Sequence, residues 1–460
     1  MNPTVSPVRH FALVVYFIVL VASIARCAPL RAEESGIDAR HQWPQWRGPL
    51  ANGVAPDADP PLQWDATKNI QWTASIAGAG NGTPIVWGDK VFLLTAVDTK
   101  LVGPIGANSG ESAAAGRGGF GPRLEKPKTR YQFMVVCLDR ETGKTLWERV
   151  ACEAVPNDSI HDDNSYASAS PTTDGKRLYV SFGSQGIYCY DLQGELIWSR
   201  DLGDMQTRNG FGEGTSPTIH GDTLIVNWDH EGPSFITALD AATGEEKWKQ
   251  ERDEVTTWNT PLVVEAFGRT QVIVNATNRS RAYDLQTGEV IWECGGQVTN
   301  PIPSPISADG IAYLMSGYRG AALYAIRLDA KGDVSNSKSV VWKRTEGTPY
   351  VPSAVLSGHR LYFTKSNNGI LSCIDVRDGR PIIDQQRVPG LTNVYASPVA
   401  ANGRIYFLGR DGTSVVIRDA DELEVLATNQ MNEPMDASPA IAGKQLFLRS
   451  DRTVYCIAAQ

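Results

Sequence analysis

The chain has 460 residues, 42% of them hydrophobic and 20% charged, which is the composition of a soluble globular protein with a sizeable core. Forty-three glycines, 27 prolines and 12 tryptophans speak for many turns joined by large aromatic anchors, and against a helical bundle. A formal net charge of −8 argues against nucleic acid or an anionic membrane surface as the main partner.

The first segment has the pattern of an export signal. Arg9 and His10 precede an apolar run from Phe11 to Ala25, followed by Arg26 and a small-residue region ending at Ala32. The run has 15 residues, whereas a membrane-spanning helix needs about 20. Residues 1–32 are therefore expected to be a signal peptide cleaved near Leu30-Arg31-Ala32, giving an exported, periplasmic or extracellular protein. Ile24-Ala25-Arg26-Cys27 loosely follows a lipid-attachment motif, but Arg26 stands where a small residue is wanted, so lipoprotein anchoring is not expected. The remaining chain carries 40 basic and 51 acidic residues, a net charge of −11, and contains no second stretch able to span a bilayer.

Residues 33–68 include Trp43-Pro44-Gln45-Trp46-Arg47-Gly48-Pro49 and read as an extended strap docked on the domain that follows, with a recognition strap as the competing reading. From residue 69 an internal repeat takes over. A Ser/Thr-Pro element recurs at Thr83, Ser170, Ser216, Thr260, Ser304, Ser397 and Ser438, and Pro352-Ser353 holds the same place in reversed order. Successive gaps are 87, 46, 44, 44, 49, 44 and 41 residues. Each element leads into a Gly-containing turn, a β-rich run, a second run such as Ile187-Tyr188-Cys189-Tyr190, and an Asp-x-x-Thr-Gly-x-x-x-Trp segment. Four short strands per unit at this period predict an all-β, eight-bladed β-propeller over residues 69–460. A β-sandwich also has many short strands, but no reason to repeat a tryptophan at such spacing.

Asp139, Asp240 and Asp284 are placed to bond backbone N–H groups in their hairpins. Trp147, Trp198, Trp248, Trp292 and Trp342 then close the units between neighbouring blades. Ile383 takes the tryptophan place in the sixth unit, and Leu426 or Ala427 in the seventh. The last unit stops at Gln460 without its fourth strand, while Asn69-Ile70-Gln71-Trp72-Thr73-Ala74 resembles that strand. The N-terminal strand is expected to complete the C-terminal blade and remove an open sheet edge. Residues 101–129, rich in Gly, Ala and basic residues, read as a flexible insert in the first blade, with Arg117, Arg123, Lys126, Lys128 and Arg130 available to an acidic partner. Residues 151–166 read as a polar loop.

Cys137, Cys189, Cys373 and Cys456 fall at equivalent places in different units, so they are expected to be small buried residues rather than disulfide partners. Cys152 and Cys294 have no assignment. No P-loop, HExxH or Gly-x-Ser-x-Gly occurs, so NTPase and hydrolase readings have no support.

The residues just before each Ser/Thr-Pro element are expected to face a central funnel: Asn81, Asn164, Glu213, Trp258, Asn259, Asn300, Tyr350, Asn393, Tyr395 and Asp436. Such a set can hold a cation, a sugar or a planar ligand, with Glu213, Asn259 and Asp436 as hard-metal oxygens and Trp258 for stacking; the competing reading is that they solvate the funnel. His161, Asp162 and Asp163 offer a metal or acid–base site, against a solvated loop, which the lack of a second His or Cys at ligand spacing favours.

The segments Ala238-Leu239-Asp240-Ala241-Ala242-Thr243-Gly244 to Trp248, Ala282-Tyr283-Asp284 to Trp292, and Leu138-Asp139 to Trp147 resemble the tryptophan-docking motif of pyrroloquinoline-quinone (PQQ) repeat propellers. Two branches of that superfamily bear on function. The quinoprotein alcohol and sugar dehydrogenases hold PQQ and calcium at the propeller mouth, with a catalytic Asp, metal-binding Glu and Asn, and often an adjacent-Cys disulfide. The BamB-like branch, named for the eight-bladed scaffold of the outer-membrane-protein assembly machine, carries no cofactor. This chain is similar to the second in length, signal and plain blades; it has no adjacent Cys pair and no haem-attachment site. The resemblance implies a binding or scaffolding module for a protein or polysaccharide partner, acting as a monomer or within an envelope complex, with no cofactor, metal or catalytic residue expected. The alternative is a PQQ- and calcium-dependent dehydrogenase using Asp436 and Glu213.

Overall fold

The computed structural model describes Met1, residues 37–103 and residues 124–459. The expected signal peptide and residues 104–123 of the expected insert, with Arg117 and Arg123, lie outside the described residues.

The repeat folds as eight antiparallel sheets arranged as a propeller. In blade one the strands run Ile85–Trp87, Lys90–Val102, Thr129–Asp139 and Thr145–Ala154, from the axis outward. Blades two to seven follow in chain order with the same succession, and blade four adds a short parallel strand, Gly332–Asp333, on its outer edge. In blade eight, Ala440–Ala442, Gln445–Arg449 and Thr453–Ile457 are completed by Ile70–Ser75, with Trp72 opposite Cys456. The ring is thus closed by a strand from the other end of the repeat. Helix among the described residues is limited to three single 3-10 turns.

Four of the five repeated tryptophans fasten their blade to the next; Trp292 departs, its Nε1 donating to Gln271 Oε1 in its own blade at 3.1 Å. Trp147 Nε1 donates to the Leu192 carbonyl, Trp198 to Ala241, Trp248 to Leu285 and Trp342 to Val376, at 2.8–3.2 Å. Each acceptor follows the hairpin Asp of the next blade, within Asp191–Gly194, Asp240–Gly244, Asp284–Gly288 and Asp375–Gly379. Within such hairpins Asp139 Oδ1 accepts the Thr142 N–H at 2.8 Å, and Asp240 Oδ1 accepts those of Ala242 and Thr243 at 2.9 Å. Gly143 has φ +70°, and a Cβ on it would come within 2.5 Å of the Trp72 ring. The hairpin needs glycine both for its backbone and for the indole laid against it. In the seventh blade Ala427, not Leu426, stands in the tryptophan register, opposite Val416. Cys137, Cys189, Cys373 and Cys456 are buried free thiols opposite Trp147, Trp198, Ile383 and Trp72.

The Ser/Thr of the repeat forms a belt around the axis. The backbone N–H of each belt residue donates to the side-chain oxygen of the next: Thr83 to Ser170, Ser170 to Ser216, Ser216 to Thr260, and Thr260 to Ser304. The belt continues from Ser304 to Ser353, Ser353 to Ser397 and Ser397 to Ser438. These bonds measure 2.8–3.3 Å and join blades 41–87 residues apart in the chain. The Pro352-Ser353 reversal is therefore harmless, because the hydroxyl is kept and only the proline moves. Thr83 Oγ1, at the seam where blade eight meets blade one, is buried without a protein partner among the described residues.

Residues 43–54 pair with the edges of innermost strands, and the strap ends on the outermost strand of blade seven, where Asp65 bridges Gln430. Trp43, fully buried, forms an antiparallel bridge with Val86, and Val54 a parallel bridge with Ala400. Between them Arg47 is buried, its Nη2 donating to the carbonyls of Ala354 and Pro398 at 2.8 and 2.9 Å. With no carboxylate beside it, burial lowers the Arg47 pKa to about 9.

Two expected boundaries move. The central hairpin of blade one reaches Val102 and restarts at Thr129, so Leu101, Val102 and Thr129 belong to strands rather than to the insert. That lengthened strand gives Cys152 and Ala154 partners in Phe133 and Tyr131, so residues 151–154 end the outer strand instead of opening a loop.

Candidate functional site

A cavity of about 410 Å³ lies at the axis. Its inner end is lined by belt residues, including Ser170, Ser216, Thr260, Ser397 and Ser438, together with Trp46 from the strap. Its wall follows one rule of register. The residue two places before each belt position lines it in every blade: Asn81, Ser168, Gly214, Trp258, Ile302, Val351, Tyr395 and Asp436. Residues two apart in extended chain share a face, so one side chain per blade is delivered to the axis.

Loops between blades add His161, Asp163, Asn164, Phe211 and Tyr350, and a loop within blade five adds Tyr318. The Tyr318 and Tyr350 rings stack with centroids 4.8 Å apart. Trp258 Nε1 donates to the Gly212 carbonyl at 2.8 Å, which commits its only donor and fixes the ring plane. Asn81 Nδ2 donates to the Asp163 carbonyl at 3.3 Å, and Asn164 Nδ2 to the Phe211 carbonyl at 2.8 Å.

One ionic network supports the polar side. Arg410 binds Asp436 through both carboxylate oxygens, Nε at 2.6 Å and Nη2 at 2.9 Å. It also contacts Asp163 Oδ1 at 2.8 Å and stacks on Tyr395, whose hydroxyl donates to Asp163 Oδ2 at 2.9 Å. Arg410 and Tyr395 together outweigh burial and hold the Asp163 carboxyl below its ordinary range. At Asp436 burial wins over Arg410, and the pKa is raised. Burial and the neighbouring Asp163 push the Tyr395 phenol up to about 12. His161 sits beside Asp163, its Nδ1 accepting the Asp163 N–H at 3.1 Å, with its ring edge-on to Phe211.

Six of the ten residues singled out from sequence, Asn81, Asn164, Trp258, Tyr350, Tyr395 and Asp436, meet in this cavity. The other four do not. Asn259 is fully buried and bonded to the Asn275 backbone, because one place before the belt points away from the axis. Asn300 is buried and accepts from Arg208 at 3.0 Å. Asn393 is exposed and pairs in a bridge with Asn368.

Glu213 lines a separate cavity of about 40 Å³. Its carboxylate accepts from the Ser184 N–H at 2.7 Å and the Ser184 hydroxyl at 2.5 Å. Gly183, at φ +57°, leaves it room, since a Cβ there would overlap Glu213 Oε2. Burial outweighs the Ser184 bonds and pushes the Glu213 pKa up to about 7.

Sequence reasoning missed Phe211, Tyr318 and Arg410, gave Trp46 only within the competing recognition-strap reading, and favoured a solvated loop for Asp163. The i−2 register would have replaced Glu213 by Gly214 and Asn300 by Ile302; nothing local points to Arg410.

A seat for an anionic quinone with calcium needs uncommitted oxygen ligands beside cationic donors. The three oxygens proposed for a metal do not converge: Glu213 is held by Ser184, Asn259 by Asn275 and Asp436 by Arg410. Among the described residues no lysine or arginine lines the cavity. The residues present do not fit that group.

The family model for outer membrane protein assembly factor BamB matches residues 132–385, more than half of the chain. In fold the chain is similar to BamB from Moraxella catarrhalis, with 16% identity, 73% of this chain and 94% of that one covered, and a TM-score of 0.50. It is also similar to quinohemoprotein alcohol dehydrogenase from Comamonas testosteroni, with 10% identity, 93% and 82% coverage, and a TM-score of 0.58. A third likeness is to quinohemoprotein alcohol dehydrogenase ADHIIG from Pseudomonas putida HK5, with 11% identity, 91% and 80% coverage, and a TM-score of 0.55. At these identities the likeness is one of fold. No curated protein shows significant sequence similarity to the chain.

Proposed function

We propose that this chain, which belongs to the PQQ-repeat propeller family of the outer membrane protein assembly factor BamB, is an exported binding module that holds a protein or polysaccharide partner at the propeller mouth. The observation that carries this reading is the axial cavity of about 410 Å³, with aromatic walls and Trp46 at its inner end. Its size and lining suit one residue or one chain end of a partner, oriented by a few fixed polar groups. Trp258, Tyr350 and Tyr395 are rigid amphipathic surfaces of the kind that dominate recognition energy. The export signal expected in residues 1–32 puts the partner in the envelope or outside the cell.

The test uses the immobilised full chain and envelope extract, one portion treated with protease and another with periodate. Retention of a component that one treatment abolishes, and that Trp258→Ala weakens at least tenfold, is the expected result. Retention indifferent to Trp258 and to both treatments would overturn the cavity as the recognition site. Saturable binding of PQQ plus calcium with dye-linked alcohol turnover, lost in Asp436→Ala, would overturn the binding reading itself.

A further inference from the structure

The cavity wall is two-sided, and the two sides differ in chemistry. Going round the i−2 positions, blades four to seven contribute Trp258, Ile302, Val351 and Tyr395, an apolar and aromatic arc. Tyr350 and its stacked neighbour Tyr318 reinforce it. Blades eight, one, two and three contribute Asp436, Asn81, Ser168 and Gly214, backed by Asp163, His161 and Asn164.

The inner end adds a third feature. Ser170, Ser216, Ser397 and Ser438 each already accept a backbone N–H from the preceding blade. None of these hydroxyls donates to a protein group among the described residues, so their O–H bonds remain for an occupant. The free polar capacity is therefore an array of neutral donors and acceptors, facing an apolar arc across one cavity.

Charge narrows the class further. The cationic group nearest the wall, Arg410, is spent on Asp163 and Asp436. Of the arginines near the mouth, Arg208 is bonded to Asn300 and Arg319 lies on the Tyr318 ring. Among the described residues the lining offers an anionic occupant no free cation, and its carboxylates are held by Arg410. A group with an apolar face and a ring of hydroxyls matches what is left.

We infer that the axial cavity binds the end unit of a neutral saccharide, its apolar face on Trp258 and the tyrosine arc and its hydroxyls toward the Asp436–Asn81 arc and the belt. This rests on the binding-module reading and narrows its partner to one chemical class.

Calorimetric titration of the full chain with neutral methyl glycosides and disaccharides of gluco, manno and galacto configuration tests it, with galacturonate oligomers and short peptides as comparators. The expected result is saturable binding of at least one neutral saccharide, weakened at least tenfold in Trp258→Ala and largely restored in Trp258→Phe, which keeps an aromatic face. Near-UV circular dichroism confirms that both variants fold. Binding indifferent to Trp258, or galacturonate binding ten times tighter than its neutral counterpart, overturns the inference. If peptides bind through Trp258 and no saccharide does, the saccharide inference falls while the binding module stands. If no ligand binds and envelope retention ignores Trp258, both fall.

Discussion

The Tyr395 hydroxyl donates to Asp163 Oδ2 at 2.9 Å, joining the start of blade seven to the loop between blades one and two across 232 residues of chain. Arg410 completes the link by holding Asp163 and Asp436 together. Arg410→Met is expected to destabilise the protein by about 1–3 kcal/mol, below the full cost of breaking a buried pair because the network is partly exposed. The same change should bring the Asp163 pKa back up. A folded-state carboxyl pKa below its unfolded value stabilises above the unfolded pKa and loses that contribution as pH falls through the folded one. Urea denaturation of wild type and variant between pH 2 and 6 reads this out: the gap should narrow on acidification, and a pH-independent gap would count against the pairing.

Glu213 has the opposite sign. Its ordinary value of 4.5 is pushed up to about 7 in the folded protein, so the folded state binds the extra proton. The resulting stability is fully present below the unfolded pKa and is lost as pH rises through about 7. Glu213→Gln should remove that slope and gain on the order of 1 kcal/mol over wild type at pH 8. Thermal melts across pH 4–9 decide it, with Glu254, also pushed up to about 7 by burial, left intact as the residual slope. Parallel profiles would show that folding does not raise the Glu213 pKa.

Closure can be tested at Trp72, whose Nε1 donates to the Arg140 carbonyl at 2.8 Å and whose ring lies against Gly143. Trp72→Ala should cost about 3–5 kcal/mol. Deleting residues 69–76 should abolish soluble folded protein, since blade eight would expose the edge of Thr453–Ile457. A soluble deletion with an unchanged melting temperature would contradict the ring.

The belt predicts a contrast at one position. Ser397→Ala removes the oxygen that accepts the Ser353 N–H at 2.8 Å, leaves a buried donor unmet, and should cost about 1–3 kcal/mol. Ser397→Thr keeps the oxygen and should recover most of that. Equal losses in the two variants, measured by urea denaturation, would mean that packing rather than the hydrogen bond holds the position.

The periodic features were legible in the chain because their causes are local. A belt hydroxyl, a hairpin Asp with its Gly, and a tryptophan at fixed offset each act within a few residues or on the identical part of the next unit. Blade number, tryptophan docking and the borrowed strand Ile70–Ser75 therefore follow from spacing alone. The site is different. Asn259 and Trp258 are adjacent in sequence, yet one is buried against Asn275 and the other lines the axis, since side chains alternate in extended chain. Arg410 and Tyr395 of blade seven meet Asp163 from the loop between blades one and two, and Trp46 reaches the cavity only because the strap pairs with inner strand edges. Only the closed ring decides which of these meet, because a propeller axis gathers one side chain from each of eight sheets that share no local interaction.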